Sequence, residues 1–278
     1  MSKLPIARRT LAAPAPPVSG VGVRSGRDIT VTLEPAAFGH GLTVRRSDLG
    51  VEYPLHLDNT LNLPTCTAVG TSTQDATLFV EHLMAVLHVH RITDLTVELD
   101  GPEIPLLDGS AAPWNALVCE AGTQELGGSV EPVVVSEKLR VGVDERWIEA
   151  RPADVATFCF DLQYDHPMIR CETAQFSMDA DGFARLLAPA RTFALKEELD
   201  AALAAGELKA GSEENCRIIY RDRVSEPATL PDELARHKVL DMLGDLYLLG
   251  RPVIGEIHGF RTGHAQNREL LRALSHVR

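Results

Sequence analysis

One order of elements, strands then helix then strand then helix, runs through this chain twice, and that repetition points to a single architecture used in duplicate. In the first half residues 29–33 alternate as a strand and 42–46 offer a partner, with Gly20, Gly22, Gly26, Gly39 and Gly41 as punctuation. Asp75 or Thr77 caps a helix in which Phe79, Leu83, Val86 and Leu87 recur at helical spacing to about His90. Residues 95–99 alternate again, and a turn-rich passage through Pro105, Asp108-Gly109-Ser110 and Pro113 leads to a helix over 114–121. Gly127-Gly128-Ser129 reads as a flexible link. Beyond it, 133–135, 139–141, 147–150 and 158–162 are strand-like, followed by helices at 180–187 and 199–205 and a strand at 217–220. A helix over 233–246, a strand over 252–259 and a helix from about 263 complete the second half, although the halves share no convincing identity. The prediction is an α+β fold of two similar domains, 1–127 and 128–278. Each is a layered antiparallel sheet with two main helices, and the second carries a strand-helix-strand insertion at about 193–222. The chain has neither Gly-x-Gly-x-x-Gly nor a phosphate loop, which argues against a doubly wound nucleotide-binding fold.

Composition bounds the partners. With 278 residues, 45% of them hydrophobic and 24% charged, the chain has the make-up of a soluble globular protein. No apolar run approaches the ~18 residues of a membrane span, and Pro14, Pro16 and Pro17 interrupt the apolar residues that follow Arg8 and Arg9, so neither membrane insertion nor a signal peptide is expected. A net charge of −12 argues against nucleic acid or an anionic membrane as partner, while leaving room for an anionic small molecule in a local basic pocket. The five cysteines are odd in number, widely spaced and without Cys-x-x-Cys, which predicts reduced thiols in a cytoplasmic protein.

The chemistry concentrates in helix 233–246. His237, Asp241 and Asp245 follow at i, i+4 steps on one face, and Leu234, Val239, Leu240, Leu243 and Leu246 supply an apolar face. Such a polar stripe is either a solvated surface or a site; His and Asp four apart suit two ligands of one divalent metal. A third ligand is best supplied by the Glu81-His82 pair, whose adjacent side chains leave a helix in different directions and so act on different things. Three protein ligands leave the fourth position of a tetrahedral zinc to water, whose pKa falls to about 7, with Glu81 as its general base. His264, after Gly263 at a helix start, either caps that helix or reaches into a cleft.

Several long segments then carry a resemblance. Val80-Glu81-His82-Leu83, the run from Gly101 to Pro113, Ala190-Arg191-Thr192-Phe193, Arg236-His237-Lys238 through Gly244-Asp245-Leu246, and Gly263-His264 resemble the zinc-dependent UDP-3-O-acyl-N-acetylglucosamine deacetylases of lipid A biosynthesis, in order and over essentially the whole chain. The resemblance implies an active site between two α+β halves and removal of an N-acetyl group from an acylated UDP-glucosamine. It implies zinc on His82, His237 and Asp241, with Glu81 as general base. His264 would stabilise the oxyanion and protonate the leaving amine, with Asp245 holding its ring, and Thr192 would donate to the tetrahedral intermediate. Lys238 would neutralise charge near the nucleotide sugar, Phe193 would pack on the glucosamine and the 193–222 insertion would form the acyl channel. Arg261, flanking the site, is expected to bind substrate by its position, and the chain is expected to be a monomer.

Three positions depart from the pattern. Arg24 stands where the family usually has His, and Glu213 and Arg217 stand where it usually has apolar residues beside the acyl channel. A charge in such a channel is costly, so these side chains turn outward or the acyl group differs. The rival readings are a diverged paralogue acting on a related nucleotide sugar and a nucleotide-sugar-binding protein without turnover.

Overall fold

The computed structural model describes residues 5–63 and 65–277; the outermost positions of the two predicted domains, 1–4 and 278, lie outside the described residues. Two five-stranded sheets dominate. The first has the spatial order Val18–Val21, Asp28–Pro35, Leu95–Leu99, Leu42–Arg46, Val51–Pro54. The second runs Leu139–Val143, Arg146–Arg151, Glu256–Phe260, Thr157–Leu162, Glu172–Ser177. In both, two hairpins flank the strand that comes last in the sheet's chain order, so the topology is the same twice.

The sheets are mixed rather than wholly antiparallel as expected. Leu42–Arg46 runs parallel to Leu95–Leu99, and Thr157–Leu162 parallel to Glu256–Phe260. Each parallel pair closes through a long connection that contains a helix, the form such a crossover requires. In Asp28–Pro35 the alternation behaves as read: Ile29, Val31 and Leu33 are buried, and the residues between them face outward.

Two further expectations change. Gly127, Gly128 and Ser129 belong to a strand, Thr123–Val130, laddered antiparallel to Ile6–Leu11, and are not a flexible link. The predicted 252–259 strand breaks at Gly255 into Val253–Ile254, which pairs with Val133–Val134, and Glu256–Phe260. A Cβ at Gly255 would lie 2.6 Å from Val135, so only glycine makes that step.

Among the described residues there are six α-helices: α1 Glu81–Val89, α2 Ala112–Ala121, α3 Ala180–Leu186, α4 Lys196–Ala204, α5 Glu233–Leu246 and α6 His264–Ser275. Helix α1 starts later than its predicted caps. Asp75 instead accepts from the backbone of Thr71 and Ser72 in its own loop, and Thr77 sits in a short strand, Thr77–Leu78. Every residue of α1 is buried because it lies between the halves against α5. The contact is backbone to backbone: a Cβ on Gly244 would stand 1.9 Å from the Glu81 carbonyl oxygen. His88 reinforces it by donating from Nδ1 to the Leu243 carbonyl at 2.9 Å. This crossing puts the start of α1 beside the middle of α5, and one continuous apolar core runs through both halves around it.

Candidate active site

Where α1 crosses α5, His82, His237 and Asp241 converge. Their ligand atoms lie within 4.8 Å of one another, and they form the metal-competent cluster found among the described residues. His237 Nε2 is 3.4 Å and His82 Nε2 3.8 Å from the same Asp241 oxygen, Oδ1. Ligand atoms at tetrahedral zinc distances are roughly 3.3–3.6 Å apart, so the triad needs only a small contraction around an ion. The donor chemistry calls for a cation. The Ala190 carbonyl, 3.0 Å from His237 Nδ1, can only accept, so that nitrogen carries the hydrogen and the Nε2 lone pair faces the carboxylate. Burial, then the neighbouring His237, lowers His82 to about 3, and burial also lowers His237, so both rings are neutral. Burial opposes charge on Asp241, but His237 and Lys238 hold its carboxyl well below the usual range.

Glu81 and His82 diverge as their adjacency requires. Glu81 Oε2 accepts from the backbone N–H of Thr67 at 3.1 Å, and Oε1 lies 3.8 Å from His264 Nε2. Phe79, in the left-handed region at φ 59°, turns the chain just before α1 and so fixes where Glu81 emerges. Burial raises the Glu81 carboxyl to about 8. His264, the first residue of α6, caps nothing. Its Nδ1 donates to Asp245 Oδ2 at 2.9 Å. Burial disfavours its charge, yet the Asp245 carboxylate and Glu81 raise it to about 9, so it holds a proton at neutral pH.

Two residues complete this cluster that sequence reasoning missed. Thr67 donates its hydroxyl to Asp245 Oδ1, and Asn267 Nδ2 donates to Asp245 Oδ2 at 2.7 Å. Asn267 stands three positions after His264, on the same helix face, a signal that was available. Thr67 lies in a loop remote in sequence and gave none.

The other predicted residues border a cavity of about 530 Å³ that opens on this cluster, a size suited to a substantial small molecule. Lys238 lines it while its ammonium reaches back to Asp241 Oδ2 at 2.7 Å; burial weakens the charge but Asp241 more than restores it. Thr192 is set by donating its N–H to Gly109 O at 2.7 Å, a bond between the halves. The Phe193 ring stands 6.4 Å from His237 and 6.0 Å from Tyr164. Arg261, at φ 53°, lines the cavity and places its guanidinium 3.7 Å from Glu145. Val23, Phe79, Leu106, Leu199 and Leu208 supply apolar lining, joined by Phe193–Leu195, which is backed by its parallel partner Arg217–Ile219. The charges that departed from the family pattern avoid it: Glu213 is exposed and accepts from Tyr220, and Arg217 turns to Glu233 at 3.1 Å. Arg24 pairs with Glu207 at 3.4 Å.

A duplicated α+β fold with a buried His-His-Asp triad, a carboxylate and a protonated imidazole beside it defines a metal-dependent hydrolase. The chain belongs to the UDP-3-O-acyl N-acetylglycosamine deacetylase (LpxC) family, whose sequence model matches residues 8–276. A UDP-3-O-acyl-N-acetylglucosamine deacetylase of Anaeromyxobacter dehalogenans is 39% identical over 256 residues, 91% of this chain and 83% of that protein. One of Myxococcus xanthus is 36% identical over 269 residues, 95% of this chain and 85% of that protein. None of the helices among the described residues is long and apolar enough to cross a membrane.

Proposed function

We propose that this chain hydrolyses the N-acetyl group of UDP-3-O-acyl-N-acetylglucosamine to UDP-3-O-acyl-glucosamine and acetate, the committed step of lipid A biosynthesis, as a cytoplasmic monomer with zinc on His82, His237 and Asp241. The observation that carries the reading is the joint placement of that triad, Glu81 and His264 beside a cavity that His264 and Lys238 line together with apolar and polar side chains. When bound, zinc supplies Lewis acidity, polarising the acetyl carbonyl and bringing a water toward a pKa of about 7.

The chain's own residues do the rest. Glu81, anchored by the Thr67 N–H, takes the proton of the attacking water in its ionised form, which burial disfavours and the charge of a cation on the adjoining triad would restore. His264 keeps its proton because Asp245 faces Nδ1; Nε2 stabilises the developing oxyanion and delivers the proton to the leaving amine nitrogen. The Thr192 hydroxyl donates to the developing oxyanion, a contribution of about 3 kcal/mol in comparable sites. Lys238 and Arg261 complement the diphosphate and Phe193 packs on the glucosamine. The apolar lining holds the acyl chain, which favours an acylated over an unacylated sugar.

Acetate release decides this. The purified zinc protein is expected to release acetate from UDP-3-O-acyl-N-acetylglucosamine far faster than from UDP-N-acetylglucosamine. Zinc-loaded protein active on neither compound would sink the proposal.

A further inference from the structure

Arg217 is a buried charge where the resemblance leads one to expect an apolar residue, and the structure shows what the charge holds. Its Nη1 lies 3.1 Å from Glu233 Oε2, and its Nη2 donates to the Glu226 carbonyl at 3.2 Å. Glu233, buried at the first residue of α5, also accepts from the backbone N–H and the Nε of Arg191 at 3.1 and 3.0 Å, and from Thr229. Arg191 in turn reaches Glu226 Oε2 at 2.6 Å and the Pro227 carbonyl at 2.8 Å. Two arginines and one buried carboxylate therefore grip the segment Ala190-Arg191-Thr192 from one side. From the other, the Arg217 N–H donates to the Thr192 carbonyl at 2.8 Å, and Gly109 O accepts from the Thr192 N–H at 2.7 Å.

Both ends of that short segment face the site. The Ala190 carbonyl fixes the His237 ring, and Thr192 borders the cavity. We propose that Arg217 and Glu233 are positioning residues that set the Ala190–Thr192 segment, and through it the His237 ring and the Thr192 hydroxyl. Because Arg217 sits on the strand Arg217–Ile219, which backs Phe193–Leu195 in the cavity lining, the same pair ties that wall to the helix that bears the candidate metal ligands. Net stability is a poor reason for the pair. A buried ion pair commonly gains little over an apolar substitute, and Arg217 Nε is left buried without a protein partner. Its effect belongs instead to geometry, where a misplacement of about 1 Å costs up to 100-fold in rate.

The rate readout rests on the deacetylase reading; the metal readout does not. Arg217→Met restores an apolar side chain and leaves Glu233 paired with Arg191, so it is expected to fold with a melting temperature close to wild type. It is expected to weaken Co(II) affinity, read by chelator competition, about tenfold, as loss of a group that orients a metal ligand does. Its kcat should fall about tenfold with KM nearly unchanged, and that loss should largely vanish in a Thr192→Ala background, because the two changes remove one interaction. Glu233→Gln should reproduce the pattern and Arg217→Lys should restore part of it. Wild-type Co(II) affinity and kcat in Arg217→Met, or losses that multiply with Thr192→Ala, would overturn the proposal. If the wild-type chain releases no acetate, the deacetylase reading fails while the Co(II) comparison still decides the positioning.

Discussion

Glu81 and His264 stand 3.8 Å apart with opposite protonation needs: burial raises the Glu81 carboxyl to about 8, so it would serve as a base only where the charge of a cation on the adjoining triad lowers it, whereas His264 must keep its proton. In the proposed mechanism His264 is the acid, raised to about 9 against its burial by Asp245. Activity should therefore fall on the alkaline side as His264 loses its proton, and Asp245→Asn, which removes the charge that holds it, should shift that fall to lower pH and reduce kcat about 10- to 100-fold. A pH profile of kcat/KM checks this; an alkaline limb unmoved in Asp245→Asn contradicts it. The sign for stability is the same. A pKa raised from 6.5 gives a contribution complete below about 6.5 and lost as pH climbs toward 9. At this scale the sequence carried most of the site by motif, since His82, His237, Asp241 and His264 are brought together as expected. It did not disclose Thr67, because a loop threonine has no periodicity to mark it and only the fold brings it to Asp245.

At the scale of elements, the crossing of α1 over α5 depends on Gly244. Glycine in a helix interior ordinarily costs about 1 kcal/mol relative to alanine. Here the sign reverses: a Cβ 1.9 Å from the Glu81 carbonyl must push the helices apart. Gly244→Ala is expected to destabilise by about 1–3 kcal/mol, the usual cost of overpacking, and to lower kcat because it displaces Glu81 from Asp241 and Asp245. Denaturant melts check it, and a stabilised, fully active variant would refute it. Helices α1 and α5 were legible because their apolar spacing is long and regular. The parallel pair in each sheet was not, because alternation marks a strand without fixing the direction of its partner. Gly127-Gly128-Ser129 misled because Gly and Ser suit a linker and a bulged ladder alike, and its partner lies more than a hundred residues away.

Across the whole molecule, the candidate metal ligands come from both halves, His82 from the first and His237 and Asp241 from the second. An ion on them binds only the folded arrangement, so free metal at about 100 times its Kd should add about 2.7 kcal/mol to stability. Chelation should lower the melting temperature accordingly; a melting temperature indifferent to metal would contradict a site shared between the halves. The duplicated order of elements was readable from sequence because each half repeats the same pattern, whereas the close approach of the halves rests on single contacts such as Gly244 against Glu81. The most direct test of the account is a pair of variants assayed together for bound zinc and acetate release. Glu81→Ala is expected to retain zinc and lose about 10²- to 10⁴-fold in rate, the usual worth of a general base, while His237→Ala loses both. Undiminished activity in Glu81→Ala, or full zinc in His237→Ala, would contradict it.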